Sequence, residues 1–173
     1  DWFINWADFP SVIAVTDRLW AAHWLQQKPG DVYSYDVRLS VSPDAGATWS
    51  PPMSPHDDGT PTEHGLVSLL ASGGRVQAAW LDGRHTTGEH EHDHGTGGAM
   101  TLRGAMVQPD GRLQDRDYEL DSRVCDCCQT DAAMTSDGAV VVYRDRSDAE
   151  IRDVAIVRHT ADGWSKPVHV SSD

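Results

Sequence analysis

The chain has 173 residues, with 14 Lys and Arg against 27 Asp and Glu, and a formal net charge of −13 at pH 7. A protein this acidic repels polyanions, which argues against nucleic acids and anionic membranes as partners and leaves metal ions and cationic ligands. No apolar run approaches the roughly 20 residues that a membrane-spanning helix needs, so we expect no membrane span.

The chain shows short β-rich runs broken by Gly, Pro and Asp, without a sustained 3.6-residue apolar period, and this pattern predicts an all-β fold. The runs sort into three units, at residues 10–54, 64–119 and 129–170. Each unit contains four predicted strands. They lie near 10–15, 18–26, 33–41 and 48–53, then 64–71, 75–82, 98–108 and 112–119, and finally 130–135, 139–145, 152–159 and 163–170.

Internal similarity supports this division into units. Residues 74–82 (GRVQAAWLD) resemble residues 137–145 (DGAVVVYRD), each with an aromatic residue two positions before an Asp. Repeats of roughly 40 to 60 residues that hold four strands are typical of β-propeller blades. We therefore predict three four-stranded antiparallel blades.

One turn carries a specific signature. Residues 42–49 (SPDAGATW) fit the pattern S-x-D-x-G-x-T-W. Asp44 is able to accept hydrogen bonds from the amides of its own turn, and Gly46 to adopt a positive φ. We expect Thr48 to resume the extended chain and the ring of Trp49 to pack under the loop.

This pattern resembles the Asp box of the sialidase (neuraminidase) and BNR-repeat families. The resemblance implies a six-bladed propeller, of which residues 1–173 form half. The remaining blades would come from a continuation of the chain, from another chain or from a second copy. In these families the box lies on the face away from the active site, so it assigns each loop to one of two faces.

The loops predicted on the face opposite the Asp box are long and chemically rich. Six of the nine histidines and all three cysteines fall in them. Function collects in loops of this kind on a rigid scaffold. We therefore expect any ligand, a glycan or another small molecule, to bind on this upper face. The loops span residues 55–64, 82–94, 121–129 and 144–150.

The resemblance implies a sialidase-like glycoside hydrolase or glycan-binding protein. Sialidases hold the carboxylate of sialic acid with three arginines, and Arg84 with Arg144 or Arg146 stand at matching positions. Asp57 or Asp58 would be the general acid. The Arg-Ile-Pro motif of many sialidases is absent, and the Tyr–Glu nucleophile pair is not assignable. The alternative is that these arginines form salt bridges between blades.

Two other segments suit metal ions. His90, His92 and His94 would share one side of an extended chain, as suits zinc, copper or nickel, although a solvated loop explains them equally well. Cys125, Cys127 and Cys128 suit Cu(I) or Zn, with His64 or the three histidines as co-ligands. A vicinal disulfide between Cys127 and Cys128, or a bridge from Cys125 to a cysteine elsewhere, are the alternatives.

Residues 123–131 (RVCDCCQTD), followed by residues 143–146 (YRDR), resemble a subgroup of bacterial sialidase-like proteins over nearly the whole chain. This resemblance implies a periplasmic or secreted location. Two hypotheses follow for function. The first is a sialidase-like protein that binds or cleaves an acidic glycan, and the second is an extracytoplasmic protein that binds copper or zinc.

Overall fold

The structure is a computed structural model that describes residues 1–4, 7–86 and 98–171. These residues form an all-β fold, as predicted, and contain no helix long and apolar enough to cross a membrane. The described strands are β1 (Ser11–Ala14), β2 (Trp20–Gln27), β3 (Tyr35–Ser42), β4 (His64–Ser72), β5 (Arg75–Asp82), β6 (Met100–Val107), β7 (Leu113–Val124), β8 (Asp131–Thr135), β9 (Gly138–Arg144), β10 (Val154–Thr160), β11 (Gly163–Trp164) and β12 (Val168–His169).

The strands pair into three antiparallel sheets. The first sheet has the order β1-β2-β3, and the second has the order β4-β5-β6-β7. In the third sheet β8, β9 and β10 are neighbours, and both β11 and β12 pair with β10. Each sheet is built from strands that follow one another along the chain, so each sheet corresponds to one predicted unit.

Three predicted strands differ from the structure: β7 runs beyond its predicted end at 119 to Val124, into the predicted 121–129 loop, and proline explains the other two. Residues 48–53 form no regular strand, although Leu39 and Met53 exchange backbone hydrogen bonds of 2.8 and 2.9 Å. Pro51 and Pro52 have no N–H to donate to a ladder. The strand predicted at 163–170 is split into β11 and β12 around Pro167 for the same reason.

The core lies in two apolar layers, one between the first and second sheets and one between the second and third. Strand β5 serves both layers, because successive side chains of a strand point to opposite faces. Val76, Ala78 and Trp80 pack into the first layer, while Ala79 and Leu81 pack into the second. This double burial explains why four consecutive apolar residues, 78–81, occur in β5 instead of an alternating pattern.

The 42–49 turn forms as predicted around Asp44, whose carboxylate accepts hydrogen bonds from the Thr48 amide and hydroxyl at 2.7 Å each. Gly46 has a φ of 88°. The expectation for Trp49 is wrong, because its side chain is 42% exposed. The ring of Trp20 lies beside the turn instead, 3.2 Å from the point that a Cβ at Gly46 would occupy.

These contacts predict that Asp44→Ala lowers the melting temperature, since the alanine removes the acceptor that closes the turn. Asp44→Asn keeps one acceptor oxygen, so we expect it to lower the melting temperature less than Asp44→Ala does. Thermal unfolding followed by circular dichroism measures both variants. Equal melting temperatures for Asp44→Ala and the wild type would show that the turn is held by the rest of the sheet.

The described parts of the loops predicted to share one face lie at one end of the sheets, which we call the upper end. It is the end at which β4 and β8 begin and β5 and β9 finish. Two contacts join the sheets there: the Tyr35 amide donates to the Thr62 carbonyl at 3.4 Å, and the Cys125 amide donates to the Arg144 carbonyl at 2.9 Å.

Candidate functional site

The cysteine loop begins at the upper end of β7 and is fixed to the third sheet. Val124 forms an antiparallel bridge with Asp145, and the amide of Cys125 bonds to the carbonyl that precedes Asp145. The side chain of Val124 is fully buried in the second apolar layer. The start of the loop is therefore held by both backbone and core, and it lies directly beside Arg144.

The three sulfur atoms of this loop form a compact triangle. The Sγ of Cys125 lies 3.4 Å from that of Cys128 and 3.8 Å from that of Cys127, and the third side measures 3.9 Å. All three cysteines are free thiols: Cys125 is buried, Cys128 half-buried and Cys127 exposed. The triangle therefore has one edge open to solvent.

Arg144 provides positive charge beside this triangle, with its guanidinium 3.6 Å from the Sγ of Cys128. Burial opposes ionisation of Cys128, but hydrogen bonds from Arg144 and the other thiols outweigh it and lower its pKa. Burial and the neighbouring thiols raise the pKa of Cys127 to about 12. Cys128 therefore ionises before Cys127.

A second cluster lies at the upper end between the first and second sheets, where the rings of His56 and His64 stack with centroids 3.9 Å apart. The Nδ1 of His64 faces the carbonyl oxygens of Tyr35 and Thr62 at 3.1 Å each. Its Nε2 lies 3.1 Å from Oδ2 of Asp58. Both imidazoles are buried, which is unusual for histidine and calls for partners on every ring nitrogen.

The two predicted general acids lie in very different surroundings. Asp57 is exposed and pairs with Arg116. Burial alone would raise the pKa of Asp58, but hydrogen bonds from His56, His64 and Thr60 hold it well below its usual range. A carboxylate that stays ionised has no proton to donate, so this geometry does not suit Asp58 to the role of general acid.

Two of the three predicted ligand-binding arginines, Arg84 and Arg146, are engaged by carboxylates of the protein, whereas Arg144 contacts Cys128 and the carbonyl of Arg152. Arg84 bonds to both oxygens of Asp82, at 2.8 and 2.7 Å, and to both oxygens of Asp117, at 2.8 and 2.7 Å. Arg146 holds both oxygens of Glu150. The alternative interpretation, that these arginines form salt bridges, therefore agrees with the structure for Arg84 and Arg146. These pairs lie within one sheet or its adjoining loop, however, and do not join two sheets as that interpretation expected.

The predicted metal ligands are divided between different places. Cys125, Cys127 and Cys128 come together, but His64 is grouped with Asp58 and Asp82, and with Asp36 and His56, instead of with the cysteines. His90, His92 and His94 lie outside the described residues, so their role as ligands stays a prediction. The structure therefore presents two separate groups of ligand atoms at the upper end.

Sequence reasoning missed several members of the histidine cluster. They come from four separate stretches of the chain, and no short motif links them. A signal for one of them existed, because His56 lies in the same upper loop as Asp58 and close in sequence to His64. The overlooked residues are Asp36, His56, Asp82 as a cluster member, and Asp117.

Two sequence comparisons with known proteins find no match. No protein-family model matches the chain, and no curated protein is similar to it in sequence. Membership of the sialidase or BNR families therefore stays a prediction, and the function must be argued from the geometry of the two clusters.

Proposed function

We propose that this protein binds a soft metal ion, Cu(I) or Zn²⁺, through the thiolates of Cys125, Cys127 and Cys128. The observation that carries the proposal is the sulfur triangle, with edges of 3.4, 3.8 and 3.9 Å. Zinc–sulfur bonds of about 2.3 Å in a tetrahedral site separate the sulfurs by about 3.8 Å. The sulfurs therefore need little movement to share one ion.

The composition of the loop supports a soft ion over a hard one. Thiolates select Cu(I) and Zn²⁺, while Ca²⁺ and Mg²⁺ prefer oxygen ligands. The guanidinium of Arg144 favours the thiolate form of Cys128, the form that binds a metal. The exposed side of Cys127 leaves room for a fourth ligand from solvent or from a partner.

The scaffold of this site is, in our proposal, half of a six-bladed propeller. Each of the three sheets is antiparallel and packs on the next through an apolar layer. The outer faces expose apolar side chains, such as Val12 and Trp49 on the first sheet and Val154 and Val168 on the third. Blades from a continuation of the chain or a second copy would cover these faces.

The proposal predicts that the reduced protein, stripped by a chelator, binds one equivalent of Cu(I) or Zn²⁺ at the cysteine loop. Binding should protect the three thiols from a thiol-titrating reagent. Cys127→Ser should weaken the affinity at least about 100-fold, because loss of a ligand exceeds the 10- to 100-fold cost of losing an outer-shell partner. Competition titration against a chelator of known affinity measures this change.

Ser136→Ala, in a short turn at the opposite end of β8, is the matched control and should bind as the wild type does. If all three thiols of the wild-type protein react freely in the presence of excess metal, and no metal is retained, the proposed function is wrong.

A further inference from the structure

The three thiols of the cysteine loop differ in their places along the turn. Asp126 and Cys127 are the two central residues of the turn, so Cys125 and Cys128 flank it. The first and fourth residues of a β-turn have Cα atoms less than about 7 Å apart. Disulfide-bonded cysteines usually have Cα atoms about 4.4–6.8 Å apart, so a turn of this kind brings its flanking residues within the range of a disulfide.

The sulfur atoms of this flanking pair are also the closest in the loop. The Sγ atoms of Cys125 and Cys128 lie 3.4 Å apart, compared with 3.8 and 3.9 Å for the two pairs that include Cys127. An S–S bond is about 2.05 Å long, so the two atoms must approach each other by about 1.4 Å. Cys128 is the half-buried partner, so its side chain is the one with space to move toward the buried Cys125.

The other two pairs are less suitable for a bond. Consecutive Cα atoms across a trans peptide are about 3.8 Å apart, which is below the usual range for a disulfide and disfavours the vicinal pair of Cys127 and Cys128. Such a bridge also closes a ring that contains the peptide bond, and the preference of that bond for planarity opposes the closure. A bridge from Cys125 to Cys127 would have to draw the exposed central residue of the turn inward.

We propose that Cys125 and Cys128 are a reversible dithiol, which a low-molecular-weight disulfide of the glutathione class oxidises to a disulfide bond within the loop. Cys127 keeps its free thiol. The loop is thus a site of thiol–disulfide exchange as well as a group of metal ligands. The disulfide follows from the arrangement of the two thiols alone, whereas its effect on the metal rests on the proposed function.

The reaction consists of two exchange steps. The thiolate of Cys128, the partner that reaches solvent, attacks one sulfur of the small disulfide, whose S–S bond breaks. One small thiolate leaves, and a mixed disulfide forms on Cys128. The thiolate of Cys125 then attacks the Sγ of Cys128 and displaces the second small thiolate. The protons of the two cysteine thiols end on the two released thiols, and the small disulfide has taken up both electrons.

The backbone holds Cys125 in position for the second step. Its amide donates to the carbonyl of Arg144 at 2.9 Å, and the preceding residue, Val124, is bridged to Asp145. The Cys125 side chain is 1% exposed, so a small disulfide in solution has little access to it. Because proximity favours an intramolecular reaction, we expect the buried thiol to attack the mixed disulfide rather than to react with a second oxidant molecule.

The disulfide and the metal ion exclude each other. Only thiolates bind the ion, and the bond between Cys125 and Cys128 removes two of the three. A bound ion should therefore protect these thiols from oxidation, and oxidation should release the ion. We expect the oxidised protein to bind Zn²⁺ at least about 100-fold more weakly, because loss of ligands exceeds the 10- to 100-fold cost of losing an outer-shell partner.

The test equilibrates the reduced full chain, stripped with a chelator, with excess oxidised glutathione. Peptide mass spectrometry after alkylation of the remaining thiols then maps the bonds. We expect a disulfide between Cys125 and Cys128, an alkylated Cys127, and full reversal by dithiothreitol. A disulfide that includes Cys127, or glutathione that stays attached to Cys128 with Cys125 still reduced, would overturn the proposal.

Two serine variants test the choice of partners. Cys127→Ser, the matched control, should reach the same equilibrium with glutathione as the wild type. Cys128→Ser leaves only the less suitable pair, so its equilibrium constant for disulfide formation should be at least about tenfold smaller, which is about 30 mV in reduction potential. Equal constants in the two variants would contradict the proposal. The bonds mapped in the wild type decide the question if Cys128→Ser fails to fold.

Titration with Zn²⁺ separates this inference from the proposed function. If the reduced protein binds Zn²⁺ but no disulfide joins Cys125 and Cys128 under excess oxidant, only the present inference is wrong. If the disulfide forms and the affinity for Zn²⁺ is equal before and after oxidation, the ion does not bind at these thiolates, and the proposed function is wrong instead.

Discussion

Replacement of Asp8 by asparagine is expected to stabilise the protein at pH 7 by up to about 3 kcal/mol. Asp8 is 3% exposed, and burial raises its pKa to about 6, although the backbone amide of Leu66 donates to its carboxylate and opposes the shift. Each pKa unit corresponds to about 1.4 kcal/mol, so the difference from 3.8 costs about 3 kcal/mol when the group is ionised.

The stabilisation should depend on pH in a defined direction. The folded protein binds the Asp8 proton more tightly than the unfolded chain, so the contribution of Asp8 to stability is fully present below about pH 4. It is lost as the pH rises through about 6, the folded-state pKa. Asparagine is neutral at every pH, and the gain from Asp8→Asn should therefore vanish toward pH 4.

Urea unfolding of the wild type and Asp8→Asn at several pH values between 4 and 7 measures this difference. Subtraction of the two curves cancels the other carboxylates, several of which have lowered pKa values. Asp17→Asn, an exposed carboxylate of a short turn, is the control and should change stability little. The pairing of β4 with β5 is shifted between Gly65 and Ser68, around Leu66. A destabilisation by Asp8→Asn at pH 7 would mean that the ionised form of Asp8 holds this irregular segment through a contact that the amide cannot replace.

The strands were predictable because local sequence determines them. β5 and β9 are apolar runs bounded by Gly and Asp, and their bounds lie within one residue of the predicted ones. Two of the errors occur where an irregular backbone interrupts a β-rich run, at Pro51 and Pro167. The position of Trp49 was not predictable from the turn pattern. The space beside the turn is occupied by Trp20 of β2, a residue that is distant in sequence.

The two clusters differ in how much of each could be read from the sequence. The sulfur triangle lies within four consecutive residues, so its ligands were visible as a motif. The histidine cluster joins Asp36, Asp58, His64 and Asp82, and it depends on the carbonyl of Tyr35 for the orientation of one ring. Such contacts follow from the packing of the first sheet on the second, which no single segment encodes.

Gly138→Ala is expected to destabilise the protein by about 2–5 kcal/mol. Gly138 begins β9 with a φ of +123°, and a methyl group there would overlap the backbone carbonyl oxygen of His159 on β10. The positive φ costs an alanine about 1–2 kcal/mol, and forcing atoms into a packed site adds about 1–3 kcal/mol. Because the obstacle is backbone, β9 and β10 must separate to relieve it.

Gly163→Ala is the matched control, because it lies in a similar Asp-Gly turn of the same sheet. Gly163 has a φ of +102°, but no atom lies within 4 Å of the position that a Cβ would take. Gly163→Ala should therefore lower the free energy of unfolding only by the cost of the positive φ, about 1–2 kcal/mol. Chemical denaturation of both variants separates the two contributions. An equal loss in both would show that β10 moves freely away from β9, and that the third sheet holds Arg144 beside Cys128 less firmly than the hydrogen bonds imply.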